Sequence, residues 1–321
     1  MFPVIWVETA RSFGKNTYLD TFLSVITLGF YNYYLNYLTD VEHIKDRSLH
    51  PKSSSGDWVS SILFAIVAAT LVHTYFMQPY TIPTSSLEKT LLVGDFLFVS
   101  KFHYGPRAPM TAISAPMVHD TIPLLNKKSY LYNDKKEEDS WLNKLQLPYF
   151  RLPGFQKIKR NDIVVFNWPV DTIDIMYTVP DRAYYKPIDK RTNYVKRCVG
   201  IPGDSLEVRN GYVYINGKQN ALPDRAKLQF SYDVQFKAQP TNMDINALRN
   251  RYDITDGIGM DPEKNTYFLA AVTDAAYNRA KNHPNIAKLE RRSEPKGKWD
   301  AGIFPHDPSY KWNNDFFGPL Y

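Results

Sequence analysis

The sequence contains a single cysteine, Cys198, in 321 residues. That excludes an intrachain disulfide, a CxxC redox pair and a thiolate zinc cage. Seven histidines are scattered without an HExxH pair, and GxSxG, P-loop and GxGxxG patterns are all missing. The residues for zinc hydrolysis, nucleotide-phosphate binding and dinucleotide binding are therefore lacking, and neither a cofactor nor a metal is expected. Charge is missing too, but only locally: from Trp58 to Leu87 there is no Asp, Glu, Lys or Arg.

What is present narrows the class further. Hydrophobic residues at 44% and charged residues at 22% disfavour global disorder and coiled coil. Twenty-two prolines and 15% aromatics favour extended, loop-rich architecture. The mean hydropathy of −0.40 argues against many membrane spans without excluding one or two. A net charge of +6 comes from dispersed Lys and Arg, with no recognition helix or RNP-like strand. Anionic membrane lipid is the expected partner of that charge, not nucleic acid.

The uncharged stretch at 58–77, WVSSILFAIVAATLVHTYFM, has the ~20 residues that a helix needs to cross ~30 Å of hydrocarbon. Trp58 at one end, and Tyr75 with Tyr80 at the other, suit the two interfaces. Asp57 is expected to cap the helix and Pro79 to end it. The earlier stretch 19–38 is also uncharged between Thr21 and Thr39, and is expected to span or to lie in the interface, spanning being favoured. Lys45, Arg47 and Lys52 precede the second span, whereas the ~20 residues after it hold only Lys89. This places 39–57 in the cytoplasm and the chain beyond Tyr80 across the membrane.

Beyond the anchor, short β-rich runs alternate with turns. They include 95–102, 162–168 and 193–200, the last closed by Pro202-Gly203-Asp204. In SLEVRNGYVYING (205–217), Asn210-Gly211 between two alternating runs predicts a type I′ hairpin. Residues 103–158 read as a proline-punctuated insertion with a solvated charge run, KKEED (135–139). Residues 219–300 read as a second, polar insertion with one helix at 273–282, capped by Thr273.

The residues for chemistry lie just past the span, in QPYTIPTSSLEKTLLVGD (78–95). Taken alone, hydroxyl clusters of this kind are more often caps or turns than nucleophiles. The segment Ile82-Pro83-Thr84-Ser85-Ser86-Leu87, with Thr90-Leu91-Leu92 and Gly94-Asp95, nevertheless resembles the nucleophile box of type I signal peptidases. Lys159-Arg160-Asn161-Asp162-Ile163-Val164-Val165-Phe166 is similar to that family's Arg-Gly-Asp strand, with Asn161 in place of Gly. Tyr194-Val195-Lys196-Arg197-Cys198-Val199-Gly200-Ile201-Pro202-Gly203-Asp204 is similar to its general-base box, and Tyr214-Ile215-Asn216-Gly217 fits the hairpin that follows. The wording and long insertions look most like the Bacteroidetes branch.

The resemblance implies a mainly β fold: a membrane-anchored, β-rich catalytic domain with the family's coiled β-sheet, preceded by one or two transmembrane helices. Residues 1–57 form the N-terminal membrane-associated region, 58–77 the transmembrane helix, and 78–321 the extracytoplasmic peptidase domain. It implies a serine endopeptidase of the inner membrane that removes signal peptides from exported preproteins on the periplasmic side. Ser86 falls at the nucleophile, Lys196 at the general base, and Thr84 with the Ser86 amide at the oxyanion hole. Ile82, Pro83, Tyr194 and Val195 would receive the extended substrate, with Ile82 and Val195 at the pockets for small side chains. The chemistry is coherent, because a serine hydroxyl needs a base and a lysine serves only when burial makes it neutral. Arg197 is expected on the opposite strand face from Lys196, and Cys198 to be a small buried strand residue.

The family's fourth box, Gly-Asp-Asn-Arg followed by Ser, has no counterpart, so the chain is expected to be a fragment or truncated form. A membrane-anchored, catalytically inactive β-rich scaffold is the alternative that this gap favours. A soluble self-cleaving Ser/Lys protease shares the dyad but not the preceding span.

Overall fold

The computed structural model describes residues 2–47, 54–123, 125–135, 140–174, 179–237, 245–261 and 266–321. They divide into two compact units, 1–73 with 114–129, and 74–113 with 130–321.

The first unit opens with three short helices, α1 (Phe2–Ser12), α2 (Tyr18–Ile26) and α3 (Phe30–Leu38). A reciprocal capping box starts α2: Asp20 N–H donates to Thr17 Oγ1, and Thr17 N–H to the Asp20 carboxylate. The stretch 19–38 is thus not one continuous helix. It breaks at Leu28-Gly29, where φ is 53° and 88°, and each nine-residue half rises only ~14 Å. The cause is tertiary. The Trp6 ring lies where a Cβ of Gly29 would be, and Tyr31 Oη donates to Asp20 Oδ1 at 2.6 Å. Asn32 Nδ2 also donates to the Trp6 carbonyl, at 3.0 Å.

Helix α4 (Ser54–Leu71) continues through a π-helical turn, Val72–Phe76. Together they are 23 residues long, ~34 Å at 1.5 Å per residue. This is the one helix among the described residues long and apolar enough to cross a membrane, and none of its apolar stretch is buried. It starts at Ser54, so Asp57 sits in its first turn instead of at its cap, still beside the positive end of the helix dipole. Pro79 does not end the helix either. The helix has already given way to strand β1 (Met77–Thr81), where Pro79 pairs with Phe98.

In the second unit, β1 and β2 (Phe96–Ser100) form an antiparallel hairpin, Met77 opposite Ser100 and Thr81 opposite Phe96. The insertion 103–158 is largely irregular. Its β3 (Thr121–Ile122) and β4 (Lys127–Lys128) pair within the first unit, and α5 (Trp141–Lys144) is a single turn. Of the charge run at 135–139, all but Lys135 lies outside the described residues. A second ribbon joins β5 (Ile163–Asn167) to β6 (Asn193–Arg197), with Val164 opposite Lys196.

The predicted hairpin is present as β7 (Leu206–Arg209) and β8 (Tyr212–Ile215). Its corner residues Asn210 and Gly211 have φ of 50° and 74°, as a type I′ turn requires. Beyond it come β9 (Lys218–Gln219), β10 (Phe230–Phe236), α6 (Ile245–Tyr252), β11 (Ile258–Asp261), β12 (Thr266–Val272), α7 (Asp274–Ala280) and β13 (Ile286–Arg291). The chain's last strand, β14 (Phe316–Leu320), adds to β7, giving the order β14-β7-β8-β9.

The insertion 219–300 differs most from expectation. Besides the predicted α7, whose cap Thr273 accepts from Ala276 N–H, it holds a four-stranded antiparallel sheet in the order β11-β12-β10-β13. Tyr232, Val234, Leu269, Val272, Ala276 and Ala280 are buried in its core. On β10, Tyr232 and Val234 point inward and alternate with Asp233 and Gln235. Those polar outward residues are what made the segment look like loop.

Candidate functional site

Strand β1 positions the site. Its ladder runs one step past Thr81, since Ile82 N–H donates to the Asp95 carbonyl and Gly94 N–H to the Ile82 carbonyl, both at 2.9 Å. Pro83, which has no N–H, and Thr84 in extended backbone (φ −133°, ψ 155°) then lead into a 3₁₀ turn, Ser85–Leu87. Glu88 N–H to the Ser85 carbonyl and Leu91 N–H to the Leu87 carbonyl, each 2.9 Å, close the turn. Ser86 is exposed on it, and the Thr84 hydroxyl does not cap it.

Lys196 comes from β6, 110 residues away, and its Nζ donates to Ser86 Oγ at 2.6 Å. Burial holds the Lys196 ammonium below the ordinary lysine value, because a low-dielectric setting disfavours the charged form. Residues 159–162 support the strand from the side. Asn161 N–H donates to the Cys198 carbonyl at 2.6 Å and Cys198 N–H to the Asp162 carbonyl at 2.8 Å. Asn161 has φ of 71°, a left-handed conformation that Asn tolerates better than most residues. Arg160 Nε donates to Asp204 Oδ2 at 2.7 Å. Asp204 also accepts from Ile201 N–H and Asn216 Nδ2, each at 3.0 Å. The Arg160 partnership, first, and these donors hold the Asp204 carboxyl well below the usual carboxylate range.

The expected site residues are distributed as follows. Lys196 meets Ser86 directly, whereas Thr84 and Pro83 are exposed on the chain just before it. Tyr194 and Val195 are half-buried on β6, Tyr194 against Trp168 with ring centroids 5.3 Å apart. Ile82 is only 4% exposed, which makes it part of the packing beneath the site. Cys198 is half-buried and its Sγ donates to the Gly200 carbonyl. Arg197, on the opposite strand face from Lys196, still reaches the same turn, with Nη2 3.1 Å from Thr90 Oγ1. Among the described residues no group of three or more His, Cys, Asp and Glu side chains could hold a metal.

The sequence reading missed two contacts to the Ser85–Leu87 turn and its exit, both from the loop between α6 and β11. Ser85 Oγ donates to Asp256 Oδ1 at 2.6 Å, and Lys89 Nζ to Asp253 Oδ1 at 2.7 Å. With separations of 171 and 164 residues, neither pair leaves a periodic or local signal.

Ser86 and Lys196 thus lie within hydrogen-bond distance beside two β ribbons, and comparison with known proteins gives the family. The family model described as signal peptidase, peptidase S26, matches residues 55–269. The chain belongs to the S26 signal peptidase family. Signal peptidase I of Rickettsia massiliae (strain Mtu5) is 26% identical over 168 residues, covering 52% of this chain and 45% of the relative. Signal peptidase I P of Bacillus subtilis subsp. natto is 25% identical over 174 residues, covering 54% and 57%. The chain thus spans about half the length of these curated relatives. A family of unknown function matches residues 1–46, and no solved structure matches the chain significantly.

Proposed function

We propose that the protein is a membrane-anchored serine endopeptidase that removes signal peptides from exported preproteins. Ser86 is the nucleophile and Lys196 the general base. The observation that carries this reading is the 2.6 Å approach of Lys196 Nζ to Ser86 Oγ, with burial lowering the lysine pKa. A lysine at its ordinary value is neutral in only about 0.3% of molecules at pH 8, so any lowering raises the active fraction almost in proportion.

In the neutral form Lys196 Nζ accepts the Ser86 proton as Oγ bonds to the scissile carbonyl carbon. The carbonyl oxygen becomes an oxyanion, for which the Thr84 hydroxyl and the Ser86 N–H are the donors. Collapse breaks the C–N bond, the lysine ammonium returns its proton to the leaving amine, and water then hydrolyses the acyl-enzyme. The substrate's extended segment lies along Pro83 and along Tyr194-Val195 and binds by strand addition. Val195 borders the pocket for a small side chain, and buried Ile82 is the pocket floor.

Residues 1–57 form a membrane-associated region with 39–57 on the cytoplasmic side, and the helix beginning near Trp58 anchors the protein. Residues 78–321 form the peptidase domain on the other side. Cleavage of a preprotein by the chain in detergent or lipid is the test. Wild-type rates in Ser86→Ala or Lys196→Ala would reject the mechanism, and no cleavage by any form would favour the inactive scaffold.

A further inference from the structure

The inserted sheet reaches the turn that bears Ser86 through one short loop, and that loop is itself held on both flanks. Tyr252 and Ile254 are buried in the sheet's core, so the chain between and just beyond them has little freedom. Ile254 N–H donates to the Arg249 carbonyl, and Arg249 Nη2 to the Thr255 carbonyl, each at 3.0 Å. Gln229 Nε2 donates to Thr255 Oγ1 at 3.0 Å.

From this base two carboxylates meet the turn. Asp256 Oδ1 takes the hydrogen bond of Ser85, the residue immediately before the nucleophile. Asp253 takes that of Lys89, which has φ of 70°, a conformation that costs a non-glycine residue energy unless something holds it. Thr90 completes the frame, accepting from Arg197 and donating to the Arg225 carbonyl at 3.1 Å. The nucleophile turn is therefore gripped by β6 on one side and by the inserted sheet on the other.

We propose that Asp256, through Ser85, is a positioning residue for the Ser86 hydroxyl, so that the inserted sheet is a working part of the site. The inference rests on the reading of Ser86 as nucleophile. A hydrogen bond from a hydroxyl to a carboxylate is among the stronger kinds, and a reacting atom displaced by ~1 Å can lose ~10²-fold in rate. Asp256 touches neither substrate nor Lys196 in this scheme. Its effect is on where Oγ sits, which predicts a loss in kcat with KM preserved.

The test uses the full chain in detergent, with Asp256→Ala, Asp256→Asn, Ser85→Ala and the double variant Ser85→Ala/Asp256→Ala. The expected result is a roughly tenfold fall in kcat for each alanine variant, with KM within about twofold. The double variant falls no further than either single one, and Asp256→Asn, which keeps an acceptor oxygen, recovers most of the rate. Amide hydrogen exchange at Glu88, Thr90 and Leu91 rises several-fold in both alanine variants and needs no substrate. Unchanged kcat and unchanged exchange in Asp256→Ala and Ser85→Ala would overturn the proposal, as would additive losses in the double variant. If Asp256→Ala unfolds the inserted sheet, Ser85→Ala, which lies outside it, decides. Wild-type cleavage by Ser86→Ala would instead defeat the parent reading, while the exchange result would still stand or fall alone.

Discussion

The inserted sheet buries Tyr232, Val234, Leu269 and Val272 beneath α6 and α7, whereas β1, β2, β5, β6 and the Ser85–Leu87 turn bury none of their apolar side chains, and Ile82 just past β1 is buried alone. Phe96 and Phe98 on β2 even stand exposed. Two-stranded ribbons are marginal in water by themselves, so the region around Ser86 and Lys196 contributes little to folding stability. The sheet that contributes most holds no proposed reacting group. Stability and the proposed chemistry are separated along the chain, and the contacts of Asp253 and Asp256 are where the two regions meet.

The sharpest way to break this comparison is Lys196→Ala. Cleavage should fall by about 10³-fold or more, as loss of an activated nucleophile's base does, with the unfolding transition unmoved or slightly higher. A preprotein cleavage assay and a thermal melt read the two halves. A matching collapse in stability would show that the site region does bear the fold.

The converse is Leu269→Ala, in the inserted core. It should cost about 3 kcal/mol in urea unfolding, with the kcat of the still-folded fraction altered far less than by Lys196→Ala. At the hairpin, Gly211→Ala should cost about 1–2 kcal/mol. Its φ is 74°, and the added methyl would run into Arg291, which stacks on Phe230 at 3.6 Å. Chemical denaturation measures that loss, and activity should follow stability alone.

The smallest effects concern pH. Because burial lowers the Lys196 pKa, cleavage should climb as pH rises through that lowered value and level off above it. The same shift opposes folding. Its cost is full below the lowered pKa, shrinks as pH rises, and is gone above the ordinary lysine range near 10.5. Lys196→Met should therefore stabilise the protein slightly at neutral pH and abolish that slope. Asp204 acts with the opposite sign. Its depressed carboxyl adds stability above the ordinary carboxylate range, lost as pH falls toward the folded-state value, and Asp204→Asn should remove that acid dependence.

The same division decided what the sequence made legible. The family was readable because its boxes keep residue type and order over short stretches, as the match over residues 55–269 bears out. Asn210-Gly211 and Thr273 were readable because a left-handed corner and a helix cap are local events. The inserted sheet was not, since Asp233 and Gln235 dilute β10 and its strands pair across intervening helices. The break at Leu28-Gly29 was hidden for a related reason. An uncharged stretch of the right length looks like one continuous helix until Trp6, more than twenty positions earlier, packs onto Gly29. Asp256 was beyond reach for the same cause, its partner lying 171 residues away.

One detail at the base of the first hairpin has a consequence for the turn that follows it. Lys101 N–H donates to the Phe76 carbonyl at 2.8 Å, tying the exit of the apolar helix to the far end of β2. β1 itself extends only ~17 Å over its five residues. The β1–β2 ladder is thereby closed at both ends, by the Lys101 bond at one and by Ile82 N–H to the Asp95 carbonyl at the other. A ribbon fastened at both ends cannot slip in register, so the turn that carries Ser86 starts from a fixed point.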